Sequence, residues 1–174
     1  MNMKKQTIIT STLLLGIVAL LGYLWLTPSG IKQAPDLKLT TLQGTPLSLS
    51  ALRGRPVLVT FWATTCPGCI KEIPHLVSLY RELAPRGLEI IAIAMEYDPE
   101  DQVRTMAAQQ QFPYPVVMDS DGSAALAFGG VTLTPSSFVI DPQGRIVQYK
   151  LGEFSADEMT ALQNRITAML QKKV

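Results

Sequence analysis

The sequence predicts an α/β fold: a three-layer α/β/α sandwich around a mixed sheet, with an N-terminal β-hairpin extension and one N-terminal transmembrane helix ahead of it. Three observations carry this expectation. From residue 57 onward, β-rich apolar runs alternate with segments whose apolar residues recur at helical spacing. The last two β-rich runs are joined by the short turn Asp141-Pro142-Gln143-Gly144, which makes that part of the sheet antiparallel. Near the start, residues 7–26 carry no charge.

Taken in order, residues 1–6 include Lys4 and Lys5 and are expected in the cytoplasm. Residues 7–26 form an uncharged stretch of 20 residues, about 30 Å of helix and hence a bilayer's hydrocarbon thickness. It reads as an uncleaved signal-anchor. A cleaved signal peptide competes, but the stretch exceeds a usual h-region and no Ala-x-Ala site follows. On either reading the remainder is exported. Residues 27–34 read as a linker and 35–174 as one globular domain. Residues 37–42 and 45–49 flank the turn signal Gln43-Gly44 and read as a hairpin.

Residues 57–61 are apolar and β-branched, a buried central strand. A helix is expected from Cys66 to about Ala84, with Ile70, Ile73, Val77, Tyr80 and Ala84 toward the sheet and a kink at Pro74. Residues 88–95 do not alternate and read as a second buried, parallel strand ending in the loop Glu96-Tyr97-Asp98-Pro99. A polar helix over 100–111, a strand at 116–118, a turn at Asp119-Ser120-Asp121-Gly122 and a short helix over 123–128 follow. Pro135 opens a β-rich run, and residues 145–150 return from the turn. Ser155-Ala156-Asp157-Glu158 is a capping box for the last helix, whose stripe is Met159, Leu162, Ile166, Met169 and Leu170.

The chemistry centres on Cys66-Pro67-Gly68-Cys69, where a strand hands over to a helix N-terminus. Unpaired N–H groups and the positive end of the helix dipole favour a thiolate there, so Cys66 is the expected nucleophile. Cys69 lies one turn on and is placed to attack a mixed disulfide formed at Cys66. The chain has only these two cysteines and one histidine, His75, which leaves a zinc site without ligands. Two inert buried thiols remain an alternative. His75 reads as a surface or packing residue. Glu72 falls three residues after Cys69, on the same side of the helix, where a carboxylate can take and return the thiol's proton. The Asp119–Asp121 pair lacks the rest of a calcium loop. A net charge of +1 argues against nucleic acid as a default partner, and 47% hydrophobic residues suffice for a core. No cofactor and no metal are expected.

Trp62-Ala63-x-x-Cys66-x-x-Cys69 resembles the active-site signature of the thioredoxin superfamily. With Cys69-x-x-Glu72-x-Pro74 it is similar to the TlpA/ResA/CcmG-like group of membrane-anchored, extracytoplasmic thiol–disulfide oxidoreductases. The resemblance spans roughly residues 35–172. It departs at Thr65, where the group usually has Trp, at the reversed Pro67-Gly68, and at Thr60, where thioredoxin has a buried Asp. The resemblance implies a thioredoxin-like fold with Leu52-Arg53-Gly54-Arg55 as the turn before the central strand. It implies Cys66, Cys69 and Glu72 as catalytic residues, a redox-active disulfide between the two cysteines, and a cis bond at Thr134-Pro135. Trp62, Thr65, Pro67, Thr134 and Pro135 are implied as the substrate-binding surface, with the backbone at Thr134 pairing with an extended segment. The implied function is reduction of disulfides in periplasmic or other extracytoplasmic proteins, apocytochromes among them. The implied partner is a membrane electron donor of the DsbD/CcdA type, and the implied location is the inner membrane with the domain outside. A monomer is the default, since no dimerisation segment is visible.

Three alternatives stay open at this point. The same chemistry run backwards is a dithiol oxidase, and only the potential decides. A Sco-like copper carrier resembles Thr65-Cys66-Pro67, but its sites space the cysteines by three residues and use a downstream His that this chain lacks. A peroxiredoxin signature wants Thr or Ser where this chain has Ala63, and Pro where it has Val59.

Overall fold

The structure is a computed structural model that describes residues 33–171 and, ahead of them, Leu14, Gly16 and Ile17. Apart from those three, the expected membrane span at 7–26 lies outside the described residues. Among the described residues no helix is long and apolar enough to cross a membrane. By its internal contacts the chain divides into units Met1–Ile31 and Lys32–Val174, and the second holds everything below.

The second unit is built on a five-stranded mixed sheet. Its strands are β3 (Val57–Trp62), β4 (Glu89–Ala94), β5 (Val116–Met118), β6 (Ser136–Ile140) and β7 (Ile146–Leu151), in the order β5-β4-β3-β6-β7. β3 is central, and all six of its residues are buried, as expected of a run with no polar face. It pairs in parallel with β4 and antiparallel with β6. The parallel pairs are joined through helices and the antiparallel pair β6–β7 through a tight turn, so connection length sets strand direction. In that turn Gly144 takes φ +81° and donates its N–H to the Asp141 carbonyl at 2.8 Å, a conformation that favours glycine. The N-terminal extension is a separate pair, β1 (Lys38–Thr40) and β2 (Pro46–Ser48). It meets the edge of the main sheet where Leu42 N–H donates to the Val116 carbonyl at 2.8 Å.

Side chains alternate across β3 and divide the core in two. Leu58 and Trp62 face one cluster, made with α1 (Pro67–Leu83), α2 (Glu100–Gln109) and α4 (Ala156–Gln171) through residues such as Ile73, Leu76, Val103, Leu162 and Ile166. Val57, Val59 and Phe61 face the other, where Phe61 meets Phe128 and Phe138 edge-on at 5.4 and 6.0 Å. That second face is closed by the short α3 (Ser123–Ala127) and the N-terminal extension, so its cover is thinner than a pair of long helices.

The inward stripe of α1 differs from the expectation. Ile70 is 38% exposed, and Tyr80 and Ala84 are only half-buried. The buried positions are Cys69, Glu72, Ile73, Leu76, Val77, Leu79 and Leu83, a stripe rotated toward Glu72. The rotation follows from the N-cap: Cys66 and Cys69 must both sit at the sheet's end, which turns Ile70 outward. The helix runs unbroken through Pro74 to Leu83.

Candidate functional site

The site is assembled where β3 ends. Cys66 is the N-cap of α1, with extended backbone (φ −93°, ψ 108°), and Pro67 fills the first helical position, where a missing N–H costs nothing. Cys66 Sγ accepts the Cys69 N–H at 3.1 Å, satisfying one of the orphan donors of the first turn. The first turn itself carries no acidic residue, so the helix's own sequence leaves the positive end of the dipole at the sulfur. The two cysteines are joined as a disulfide, with their Cα atoms 5.3 Å apart. Cys66 is 9% exposed and Cys69 3%, so Cys66 is the more accessible of the two.

Glu72 is one turn beyond Cys69 and is buried with its carboxyl group inside. Its Oε1 accepts the Phe154 N–H at 2.9 Å. Burial pushes its pKa above the ordinary carboxylate value and the Glu153 carboxylate adds to the rise; the Phe154 hydrogen bond and Lys150 oppose it. Cys69, Glu72, Trp62, Tyr114, Thr60 and Pro135 line one small cavity beneath the disulfide. Burial, and then the Glu72 charge, push the Tyr114 pKa far up, so its hydroxyl stays protonated. At the position where thioredoxin has its carboxylate, Thr60 Oγ1 accepts the Ser137 hydroxyl at 2.9 Å. That site is a neutral, closed pair, and among the described residues Glu72 is the only acid lining the cavity.

The Thr134–Pro135 peptide bond is cis. Pro135 is buried beside Gly68: a Cβ built on Gly68 would lie 3.6 Å from Pro135 Cδ. Ahead of it Leu133 is 62% exposed, while Ser136 closes the loop with a 2.8 Å bond from its hydroxyl to the Leu133 carbonyl. Thr65 and Pro67 are exposed and Thr134 is half-buried, so these three border the cysteines at the surface. Trp62 does not: it is 4% exposed, packed on Phe112 at 5.3 Å, and its Nε1 has no hydrogen-bond partner among the described residues. It is a wall of the site rather than part of its face. His75 is exposed, and the described residues contain no group of three metal-ligating side chains.

Two parts of the site are absent from the sequence reading. Asp98, which reads as an ordinary loop acid, is 4% exposed and clamps the segment before Cys66. Its Oδ2 accepts the Thr64 N–H at 2.7 Å and its Oδ1 the Thr64 hydroxyl at 2.5 Å. The signal was available: β3 and β4 run parallel in register, so the loops that follow them lie side by side. The other is the loop Gly152-Glu153-Phe154. Gly152, at φ +85°, donates its N–H to the Pro135 carbonyl at 2.8 Å, and Phe154 N–H holds Glu72. This loop comes from the far end of the chain, and no local pattern announces it.

The AhpC/TSA family model matches residues 31–149. The thiol–disulfide oxidoreductase ResA of Bacillus thuringiensis subsp. konkukian (strain 97-27) is 32% identical over 136 residues, 78% of each chain. A thiol:disulfide interchange protein of the thioredoxin family from Chlorobium tepidum TLS is similar in structure, with TM-score 0.73 and 30% identity, over 83% of this chain and 99% of that one. A putative thiol:disulfide interchange protein DsbE from Chlorobium tepidum gives TM-score 0.72 and 26% identity, over 80% and 96%.

Proposed function

The chain belongs to the AhpC/TSA family and, within it, with the ResA-like thiol–disulfide oxidoreductases, and from that premise we propose that Cys66 and Cys69 reduce disulfides of extracytoplasmic proteins. It is a thiol–disulfide oxidoreductase of thioredoxin-like fold. The observation that carries the reading is the cysteine pair itself, at the N-cap and first turn of α1, with only Cys66 approaching the surface.

In the reducing direction the Cys66 thiolate attacks one sulfur of the partner disulfide. A bond forms between Cys66 and the partner, the partner's own S–S bond breaks, and the departing thiolate takes a proton from solvent. The Cys69 thiol then gives its proton to the Glu72 carboxylate, and the Cys69 thiolate attacks Cys66 Sγ. The mixed disulfide breaks, the partner's second sulfur leaves as thiolate and is protonated, and the Cys66–Cys69 disulfide remains. Two electrons have passed to the partner, whose two thiolates take their protons from solvent while Glu72 keeps the one from Cys69. To restore the dithiol, a donor thiolate attacks Cys66 and Cys69 departs as thiolate, taking the proton that Glu72 holds; the donor's second thiolate then attacks its own sulfur in the mixed disulfide, freeing Cys66 as thiolate and leaving the donor as a disulfide. A raised Glu72 pKa suits both halves, because the group exchanges a proton nearer neutrality than an exposed carboxyl does.

The remaining assignments rest on the sequence. Residues 7–26 anchor the chain in the inner membrane with its N-terminus inside, and the domain works in the periplasm or on the extracytoplasmic face. That compartment is oxidising, so the disulfide is re-reduced by a transmembrane thiol relay of the DsbD/CcdA type. Thr65, Pro67 and Thr134 form the docking edge, and Pro135 and Trp62 shape it from behind.

The test is exchange with a defined protein disulfide. The reduced wild-type chain releases two partner thiols per turnover. Cys69→Ser stops at a covalent 1:1 adduct through Cys66, and Cys66→Ser forms none. An adduct through Cys69 in the Cys66→Ser variant, at the same rate, would overturn the assignment of the nucleophile.

A further inference from the structure

The loop between β7 and α4 touches the cysteine site at three consecutive residues. Gly152 bonds the Pro135 carbonyl at 2.8 Å and Phe154 bonds Glu72 at 2.9 Å. Between these two anchors the side chain of Glu153 comes to the dipeptide that separates the cysteines: a Cβ built on Gly68 would lie 3.5 Å from Glu153 Oε2. The Glu153 side chain is 46% exposed. Its polar contact among the described residues is a long one, Oε1 to Lys71 Nζ at 3.9 Å, and the lysine is 74% exposed. Lys150, the other cation near this loop, is held by Glu158 at 2.6 Å.

We propose that Glu153 is a specificity-determining residue that selects partner segments carrying a lysine or arginine beside the disulfide. The inference rests on the reading of Cys66 as the sulfur that attacks a partner. To form that mixed disulfide, the partner chain must come to Cys66, whose neighbours Pro67 and Gly68 form the outer turn. Pro67 is exposed and Gly68 has no side chain, so a neighbouring partner residue passes within side-chain reach of Glu153 Oε2. The backbone flanking Glu153 is bonded on both sides, so the charge is offered from a fixed place. The Lys71 contact does not satisfy it. An ion pair that long between exposed side chains contributes little, and an arginine fork meets a carboxylate with two short bonds. A partner with an acid at the same position meets like charge instead, which is discrimination by repulsion as well as attraction.

The experiment uses the full-length reduced chain in neutral detergent and two disulfide-bonded peptides, identical but for Arg or Glu next to one cysteine. Rates are taken as the ratio within each variant, so changes in overall activity cancel. The wild type reduces the Arg peptide faster by about 2- to 5-fold, the range of an exposed ion pair, and the ratio falls toward 1 at high salt. Glu153→Gln brings the ratio to about 1 and Glu153→Lys inverts it. Lys71→Gln, which frees the carboxylate, raises it. A wild-type ratio that Glu153→Gln leaves unchanged, with both peptides reduced, overturns the proposal and spares the reductase reading. If neither peptide is reduced, the reductase reading fails and the proposal with it.

Discussion

Removing the Asp98 carboxylate should loosen the segment that carries Cys66. Asp98→Ala leaves two Thr64 donors, the N–H and the hydroxyl, without their acceptors at 2.7 and 2.5 Å. Both lie in a region where Thr64 is 8% and Asp98 4% exposed, so water does not replace the carboxylate without rearrangement. An unsatisfied buried group costs about 1–3 kcal/mol, and the Gln102 oxygen, 3.5 Å from the Thr64 hydroxyl, recovers little. The two together give a loss of about 2–5 kcal/mol. For a domain of this size that lowers the unfolding temperature by roughly 6–20 °C. Asp98→Asn keeps one acceptor oxygen and should lose less than half as much. The assay is thermal or urea unfolding of the oxidised domain from Lys32 onward, with Thr64→Val completing a double-mutant cycle. Thr64→Val removes the hydroxyl bond alone, so a coupling of about 1–3 kcal/mol is expected, as for a hydrogen bond to a charged group. Cys66 follows this clamp by two residues and bonds its N–H to the Ala63 carbonyl at 3.1 Å, so Asp98→Ala should also slow exchange at Cys66. Two additive single mutants, or an Asp98→Ala loss under about 0.5 kcal/mol, would refute the reasoning.

With Glu72 in its proposed role as proton acceptor for buried Cys69, Glu72→Gln should slow the resolving step about 100-fold near neutral pH, the low end of general acid–base contributions; a rate that then climbs with pH checks this. The same variant bears on stability. The folded state holds the Glu72 proton more tightly than the unfolded chain, whose ordinary value is 4.5, so Glu72's contribution is fully present below that value and is lost as pH rises through the folded pKa. Unfolding midpoints should therefore show Glu72→Gln gaining on wild type between pH 4 and pH 8; a difference that does not change with pH sinks the claim. The reduced chain should also fail to consume hydrogen peroxide at a peroxidase's rate, because Ala63 and Val59 stand where the peroxidatic signature needs a hydroxyl and a proline; rapid dithiol-dependent loss of peroxide would contradict it.

The strand–helix junction was legible because its signals are local. An unbroken apolar run before Cys-x-x-Cys specifies a buried strand feeding a helix N-terminus, and the capping box at Ser155 appears as two reciprocal bonds, Ser155 N–H to Glu158 and Glu158 N–H to Ser155. The turn signal at Gln43-Gly44 likewise marked the β1–β2 pair. Periodicity fixes spacing but not phase, so it turns Ile70 inward where the structure leaves it 38% exposed. The phase of α1 is set by the disulfide and by the Phe154 bond to Glu72, which is 82 positions away in sequence. Trp62 read as surface because the motif it belongs to lies at the surface, yet the alternation of β3 carries it into the core. Asp98 acts through a loop that parallel strand pairing brings beside Thr64, a placement the strand pattern carries only indirectly, and Glu153 through the closing loop, which no local pattern announces.

The central claim is that the Cys66–Cys69 pair is a reductant. The most direct measurement is its reduction potential, following tryptophan fluorescence of the chain in a dithiothreitol buffer series, since Trp62 packs beneath the disulfide. A reductant pair shows a single two-electron transition near thioredoxin's roughly −270 mV, low enough to reduce partner disulfides and to need an upstream donor. A value near DsbA's, about −120 mV, would contradict it and make the protein a disulfide donor.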